Sequence, residues 1–213
     1  MSMSRLNAAL VIAAMGLVLL ASLARAENTP AIDGLLERLE RISQLQGEFS
    51  QRQYGDGDAV MAESSGVFRL LRPHYFSWEI RAPDRQLIVA DAQYLWHYDI
   101  DLQTATRRPV AGNVEASPLQ ILGGNEAALR AGYSVTREGA DAFSLVPVGE
   151  ARSFRRLTVS FAGDSISGMD LVDKLGQRVV VDFSGVDATT PLSGADFAFT
   201  PPAEGVDLFY YDE

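Results

Sequence analysis

Residues 75–82 of the chain read YFSWEIRA, in which large apolar side chains stand at every second position, namely Phe76, Trp78 and Ile80. Successive side chains of a β-strand point to opposite faces of a sheet, so this spacing predicts a strand with one strongly apolar face. A proline and an aspartate follow directly, and both are typical turn residues. The segment therefore predicts one strand of a sheet that buries a single face.

The same alternation recurs in other segments of the chain. Apolar residues share a parity at Trp96 and Tyr98, at Leu157, Val159 and Phe161, and at Val179, Val181 and Phe183. Turn formers separate the segments at 55–57, 82–84, 91–93, 140–141 and 162–164. Three consecutive apolar residues, Leu87, Ile88 and Val89, fit either facing of their strand. The sequence after residue 47 is therefore predicted to consist mostly of strands.

Two short helices are predicted beside these strands. Over residues 32–45 apolar side chains recur three and four positions apart with charged residues between them, which predicts an amphipathic helix. In the segment 116–124, Ser117 is suited to cap a second helix, Pro118 to its first position and two glycines to its end. The glycines that follow each predicted helix, at 47 and at the end of the second, offer hinges.

The even spacing of the strands, without alternating helices, predicts a highly curved antiparallel sheet or an open barrel. A sandwich, in which a second sheet covers the apolar face, is the alternative that the pattern alone leaves open. Apart from the strands, two short helices are the apolar elements that the sequence offers. They are suited to cover the apolar face as a lid.

The first 26 residues have the features of a secretory signal peptide: a positive charge at Arg5, an apolar run over residues 8–20, and a small-x-small triplet at 24–26. Cleavage is expected after Ala26. A retained membrane anchor is the alternative, but an apolar run of 13 residues falls short of the roughly 20 that a spanning helix needs. We therefore expect residues 27–213 to form the mature protein as a single domain.

The mature chain is acidic and contains no cysteine. The full chain carries a formal charge of −10, and residues 1–26 hold two arginines and no acid, so the remaining 187 residues carry −12. This charge argues against binding to nucleic acid or to an anionic membrane, although general solubility of an exported protein would explain it as well. Without cysteine the fold has no disulfide and no attachment point for a lipoprotein's lipid, but the chain is long enough for a core that is stable unaided.

The residue types that carry most enzyme chemistry are sparse. The two histidines, His74 and His97, are expected at the surface, and no histidine or cysteine spacing suits a transition metal. No nucleophile elbow and no phosphate-binding glycine loop is found. Asp99 and Asp101 fall in a predicted turn, where solvated turn residues are a more frequent role than a catalytic carboxylate pair. We therefore predict no catalytic residue, no metal site, no cofactor and no enzyme activity.

An ordered set of motifs carries a resemblance to a known family. The set comprises LRPHYFSWE at 71–79, Pro83-Asp84, IVAD at 88–91, LWHY at 95–98, the Ser-Pro helix at 117, and FAFTPP at 197–202. Together with the opening helix and Phe49-Ser50-Gln51, these motifs cover essentially the whole mature chain in order. On them the chain resembles the outer-membrane lipoprotein carrier family, LolA.

The resemblance implies a mostly β fold with short helices, namely an unclosed antiparallel β-barrel, or half-barrel, with a helical lid over an apolar cavity. It implies a carrier in the Gram-negative periplasm that binds the acyl chains of lipoproteins released from the inner membrane by an ABC complex of the LolCDE type. The carrier would deliver them to an outer-membrane receptor of the LolB type. We expect a monomer with no nucleic-acid partner. A regulatory domain that senses lipids or lipoproteins on the same open barrel is the alternative.

The resemblance also assigns candidate site residues. Arg72 matches an arginine that donates hydrogen bonds to lid carbonyls in the closed, empty state, a role that suits a guanidinium with five donors. An arginine that ends a strand and stays in water is the alternative. Phe76 matches a position inside the cavity, where a plain core aromatic is the competing role. The full set of predicted cavity residues is Phe76, Trp78, Ile80, Trp96, Leu119 and Leu122.

The tail, residues 206–213, departs from the resemblance because it is unusually aromatic. It could pair as a last strand or pack on the convex side of the sheet, and the sequence leaves both options open.

Overall fold

The computed structural model describes residues 28–55, 59–110, 121, 126–149 and 154–211. The helices in these residues are α1 (Asn28–Glu40) and α2 (Glu126–Gly132), with a 3-10 turn at Gly194–Phe197. The strands are β1 (Gln44–Tyr54), β2 (Val60–Leu71), β3 (Tyr75–Ala82), β4 (Gln86–Ala90), β5 (Tyr94–Asp99), β6 (Thr104–Pro109), β7 (Tyr133–Glu138), β8 (Ala142–Pro147), β9 (Phe154–Ala162), β10 (Ser165–Asp173), β11 (Arg178–Asp187) and β12 (Asp207–Tyr210). The predicted signal peptide, residues 1–26, lies outside the described residues.

One sheet contains all of these strands, in the order β12-β6-β5-β4-β3-β2-β1-β11-β10-β9-β8-β7. Neighbours from β6 through to β7 pair antiparallel, and β12 is added parallel to β6. The first and last strands of this order are edges that do not pair with each other, so the sheet is unclosed. The prediction of an unclosed, mostly β architecture is confirmed.

Helix α1 is shorter than its sequence pattern predicts. Its buried residues are Ala31, Ile32, Leu35, Leu36 and Leu39, which form the expected apolar stripe. The helix ends at Glu40, and the chain enters β1 at Gln44, so the predicted end at residue 45 is wrong. The apolar spacing continues past the helix because Ile42 and Leu45 are also buried, although neither is helical.

The predicted hinge at Gly47 is placed differently by the structure. Gly47 lies inside β1, which pairs with β2 on one side and β11 on the other. A Cβ at this position would sit 2.9 Å from the Ser184 carbonyl oxygen. The glycine is therefore required by a close backbone approach within the sheet rather than at the end of a helix.

We call the sheet face that α1 covers the inner face. The largest buried side chains of this face and of α1 form one hydrophobic cluster, which includes Leu35, Leu39, Phe49, Phe143 and Leu157. At its centre the rings of Phe49 and Trp78 are stacked, with centroids 3.6 Å apart and planes 19° apart. The helix and the sheet therefore share a single core.

The C-terminal segment covers part of the opposite, outer face, along β5 and β6. The ring of Phe199 lies 5.5 Å from that of Trp96 and 5.7 Å from that of Tyr98, centroid to centroid. The guanidinium of Arg107 lies over the rings of Tyr94, at 4.2 Å, and Tyr210, at 4.6 Å. The tail thus does both things that the sequence left open, because β12 pairs with β6 as the last strand while Tyr210 within it packs on Trp96 of the outer face.

Replacing Phe199 with Ala is expected to loosen β12, because its ring packs on Trp96 and Tyr98 and holds the segment that leads into that strand. Backbone amides of residues 207–211 should exchange hydrogen at least several-fold faster, whereas those of β1 should not change. Phe209→Ala is the matched control, since Phe209 is 49% exposed. Equal exchange at β12 in the Phe199 variant and the unaltered protein would show that the contact does not hold the strand.

Candidate functional site

Three of the predicted cavity residues come together on the inner face of β3. Trp78 is 5% exposed and belongs to the core cluster, while Phe76 and Ile80 are half-buried and pack against it. The ring centroids of Phe76 and Trp78 are 6.3 Å apart, with the planes 23° apart. The alternation read from the sequence therefore produces a continuous apolar wall, of which Phe76 and Ile80 form the accessible part.

Cross-strand register extends this wall to the neighbouring strands. Trp78 pairs with Phe68 of β2 on one side and with Ile88 of β4 on the other, and directly paired residues share a face. The open question about residues 87–89 is thereby answered: Ile88 faces inward, and Leu87 and Val89 face outward. Val89 is nevertheless buried, beside its cross-strand partner Trp96 on the outer face.

The structure places Trp96 on the outer face, away from Phe76 and Trp78. Trp96 pairs with Val89, and its ring contacts those of Phe199 and Tyr210 in the C-terminal segment. The predicted placement of Trp96 in the inner cavity is therefore corrected. Trp96 and Tyr98 share a face of β5, as predicted. Val89, the residue of β4 that pairs with Trp96, belongs to the outer face, so Trp96 does too.

Glycine 66 makes room for the stacked aromatic pair. A Cβ at this position would lie 1.8 Å from the Glu79 carbonyl oxygen and 2.9 Å from the Phe49 ring. The register between β2 and β3 shifts at the same point, between Ser65 and Gly66. Because Gly66 has no side chain, the Phe49 ring can extend over β2 on the inner face and stack on Trp78 of β3.

Arg72 connects the end of β2 with the end of α1. Its Nη1 donates to the carbonyl oxygen of Leu39 in the last turn of the helix, and its backbone N–H donates to Ser43 O at 2.9 Å. Partial burial lowers the pKa of the Arg72 guanidinium, and the nearby Glu40 carboxylate opposes this effect. A guanidinium keeps its charge under all ordinary conditions, and a cation at this end of a helix complements the dipole of the unpaired carbonyls. The geometry matches the contact that the resemblance implies.

Further arginines hold α1 to the part of the sheet that contains β7–β10. They were not among the residues predicted from the sequence. Arg38 donates to the Asp141 carboxylate at 2.7 Å and to Gly163 O at 3.2 Å, and it lies over the Phe161 ring at 5.2 Å. Arg41 donates to Asp164 at 3.1 Å. The signal available in the sequence was the position of these two arginines, in the last turn of the helix and just after it. The helix carries several other charged residues, so this position did not distinguish the two arginines from them.

The predicted second helix falls largely outside the described residues, and Leu119 and Leu122 with it. Between them Ile121 is described, and its side chain is buried in the core cluster. Helix α2, residues 126–132, follows and was not predicted. Its Arg130 contacts Asp33 of α1 at 2.7 Å, so α2 is joined to the first helix.

Polar groups that were weighed for chemistry have structural partners. Asp101 accepts hydrogen bonds from the backbone and side chain of Arg85, and these bonds lower its pKa. Asp99 accepts from Leu102 N–H at 2.9 Å, as a turn residue does. In the described part of the chain no group of three histidine or carboxylate side chains is arranged to hold a metal. Within the same residues no helix is long and apolar enough to span a membrane.

The fold and the site define a class of protein: an open antiparallel sheet whose apolar inner face is covered by a helix that arginines hold in place. The family model described as outer membrane lipoprotein carrier protein LolA matches residues 40–200. The chain belongs to this family, as its sequence motifs indicated.

Individual relatives agree with the family match. The outer-membrane lipoprotein carrier protein of Methylococcus capsulatus is 34% identical over 189 residues, covering 87% of this chain and 89% of the relative. The protein of the same name from Xanthomonas oryzae pv. oryzae is 38% identical over 170 residues, covering 77% and 80%. An uncharacterized conserved protein from Thermus thermophilus has a solved structure that superposes with a TM-score of 0.52, at 13% identity, over 84% of this chain and 98% of its own. At that identity the superposition supports the fold alone.

Proposed function

We propose that this chain carries lipoproteins through the periplasm by shielding their acyl chains on the inner face. The observation that carries the proposal is an apolar wall with an accessible part, Phe76, Ile80 and Ile88, that continues into a dry aromatic core under α1. Relatives named outer-membrane lipoprotein carrier proteins support the same assignment. The role requires no bond to be made or broken in the cargo.

The physical need for such a carrier is large. Exposure of one acyl chain of about 15 methylenes to water costs roughly 12 kcal/mol, at about 0.8 kcal/mol for each CH₂. A lipoprotein therefore does not leave one membrane for another through water at a useful rate without cover. The carrier has to bind this surface tightly enough to extract it and loosely enough to release it.

The geometry supports a closed arrangement in which α1 covers part of the inner face. Helix α1 contributes Leu35 and Leu39 to the same cluster as Phe49 and Trp78. Acyl chains then compete with α1 for one apolar surface. Because the helix gains the surface again when cargo leaves, its return assists release, and the Arg72 bond to Leu39 O adds to that return.

Compartment and partners complete the proposal. Residues 1–26 would direct export and be removed after Ala26, leaving residues 27–213 as the single carrier domain. An inner-membrane ABC complex of the LolCDE type would load the carrier, and an outer-membrane receptor of the LolB type would unload it. The acidic chain is suited to stay off anionic lipid surfaces between these steps, since they repel it.

The test is a release assay with residues 27–213 of the chain. The purified protein is incubated with cognate inner-membrane vesicles and ATP, and the soluble fraction is examined for a lipoprotein in complex with it. A soluble, ATP-dependent complex with an acylated protein is the expected result. If a known carrier from the same family releases lipoprotein from these vesicles and this chain does not, the carrier proposal fails.

A further inference from the structure

We propose that α1 moves together with the β7–β10 side of the sheet when the inner face opens, so that the opening forms between α1 and the β2–β3 side. This inference concerns how the lid works and rests on the proposed function only for the identity of the ligand that enters. It follows from an asymmetry in how the two sides of the sheet hold the helix.

The β7–β10 side holds α1 through a set of ion pairs in the described part of the chain. Arg38 binds the turn between β7 and β8 through Asp141, at 2.7 Å. Arg41 binds the turn between β9 and β10 through Asp164, at 3.1 Å. These contacts attach the C-terminal end of the helix to two neighbouring turns of the same side.

Other contacts attach the rest of the helix to that side. Asp33, in the middle of α1, pairs with Arg130 of α2 at 2.7 Å, and α2 leads directly into β7. Helix α1 also packs on β7. A Cβ at Gly34 would lie 3.5 Å from the ring of Phe143 in β8, so the helix backbone approaches this strand closely. Helix α1 is therefore attached to one side of the sheet at its middle and at its C-terminal end.

The β2–β3 side reaches α1 differently. Among the described residues, Arg72 at the end of β2 donates a hydrogen bond to the carbonyl oxygen of Leu39 at the end of the helix. In addition, Trp78 and Leu70 belong to the same apolar cluster as the buried residues of the helix. Apolar contact of this kind is non-directional, so an acyl chain can replace it on the same surface. Opening on the β7–β10 side therefore separates ion pairs at three positions of the described chain, whereas opening on the β2–β3 side separates the Arg72 bond at one end of the helix and exposes apolar surface that acyl chains can cover.

Individually, exposed ion pairs of this kind contribute little. Their effect here is geometric, because one lies in the middle of α1, one in its last turn and one directly after it, and together they restrain the orientation of the helix as well as its position. A helix held at its middle and at its C-terminal end by one side of the sheet moves with that side as a rigid body.

The experiment measures two distances with pairs of spin labels. The chain contains no cysteine, so cysteines introduced at exposed positions are labelled without background. One pair joins Glu37 of α1 to Asp84, in the turn between β3 and β4. The other joins Glu37 to Arg155 of β9. Both pairs are measured by pulsed electron paramagnetic resonance in the empty mature protein, in the Arg72→Leu variant, and after addition of a synthetic triacylated cysteinyl lipopeptide.

The expected result is that the distance from Glu37 to Asp84 lengthens in the Arg72→Leu variant and with the lipopeptide, while the distance from Glu37 to Arg155 keeps its original distribution. In a matched Arg38→Leu, Arg41→Leu variant, the second distribution should broaden. Lengthening of the distance to Arg155, or no change in either distance when Arg72 is replaced, would overturn the inference.

The two proposals fail separately in this design. The empty Arg72→Leu variant tests the movement of α1 without any cargo. If its distances change as expected but the lipopeptide neither binds nor alters them, the inference about α1 stands and the carrier function is the proposal that fails.

Discussion

Replacing Phe76 with Glu is expected to abolish lipoprotein release by the carrier while leaving the protein folded and soluble. Phe76 is half-buried on the inner face, with its ring 6.3 Å from that of Trp78. A carboxylate there either faces the acyl chain or must be protonated, and an unpaired charge against an apolar ligand costs several kcal/mol. Since each 1.4 kcal/mol is a factor of ten in affinity, the loss should exceed about a hundredfold. The yield of soluble lipoprotein complex in the vesicle assay measures it.

A matched control separates the cavity from general effects of added charge. Leu102 is 75% exposed in the turn between β5 and β6, so Leu102→Glu makes the same kind of change away from the inner face. This variant should release lipoprotein as the unaltered protein does. Normal release by the Phe76 variant would place that side chain outside the path of the cargo. A thermal unfolding midpoint for both variants confirms that each is folded.

The inner face could be predicted from the sequence because it depends on a local property. Phe76, Trp78 and Ile80 alternate within one strand, and alternation needs no information beyond that strand. A turn was also predicted directly after this strand, at 82–84, so the end of the strand could be predicted as well. The same local argument identified the apolar stripe of α1.

The facing of Trp96 could not be obtained in this way. Alternation tells which residues share a face but not which face they share with the next strand, and that depends on register across β4. An aromatic residue on the outer face usually indicates that something covers it. Here the cover is Phe199 and Tyr210, about a hundred residues later in the chain, and no local pattern connects them with β5.

The end of α1 was misplaced for a related reason. Ile42 and Leu45 continue the helical spacing of apolar residues, but they are buried from a turn and from a strand. Gln44 already pairs with Leu71 of β2, so the sheet takes up the backbone there. Pairing partners distant in sequence override a helical pattern at its end, and local reading cannot include them.

The arginine contacts show the same division between local and distant information. Arg72 was identified through a family resemblance, and the Leu39 carbonyl that it binds lies 33 residues away. Arg38 and Arg41 had no such guide, and their partners Asp141 and Asp164 are more than a hundred residues away. Surface arginines are common, so the sequence of a charged helix does not indicate which of them holds the helix to the sheet.

Replacing Arg72 with Leu is expected to favour the open or loaded state and to slow delivery of cargo to the receptor. The variant removes the hydrogen bond from the guanidinium to Leu39 O, a contact present when α1 covers the inner face. Hydrogen bonds of charged groups contribute about 1.5–3 kcal/mol, and the half-exposed position places this one toward the lower end. The closed state should therefore lose roughly tenfold or more relative to the open state.

Loading and release respond to this change in opposite directions, which makes the prediction specific. Loading should proceed at least as readily, since the cargo competes with a more weakly held helix. Release should become less favourable by the same free energy, because closure of α1 no longer regains the bond. The measurement is the rate of transfer from preloaded carrier to purified receptor, with loading followed separately. The control is Arg69→Leu, an exposed arginine on the same strand. Transfer at the normal rate, or loading and release that weaken together, would mean that the bond between β2 and α1 does not set the balance between the empty and loaded carrier.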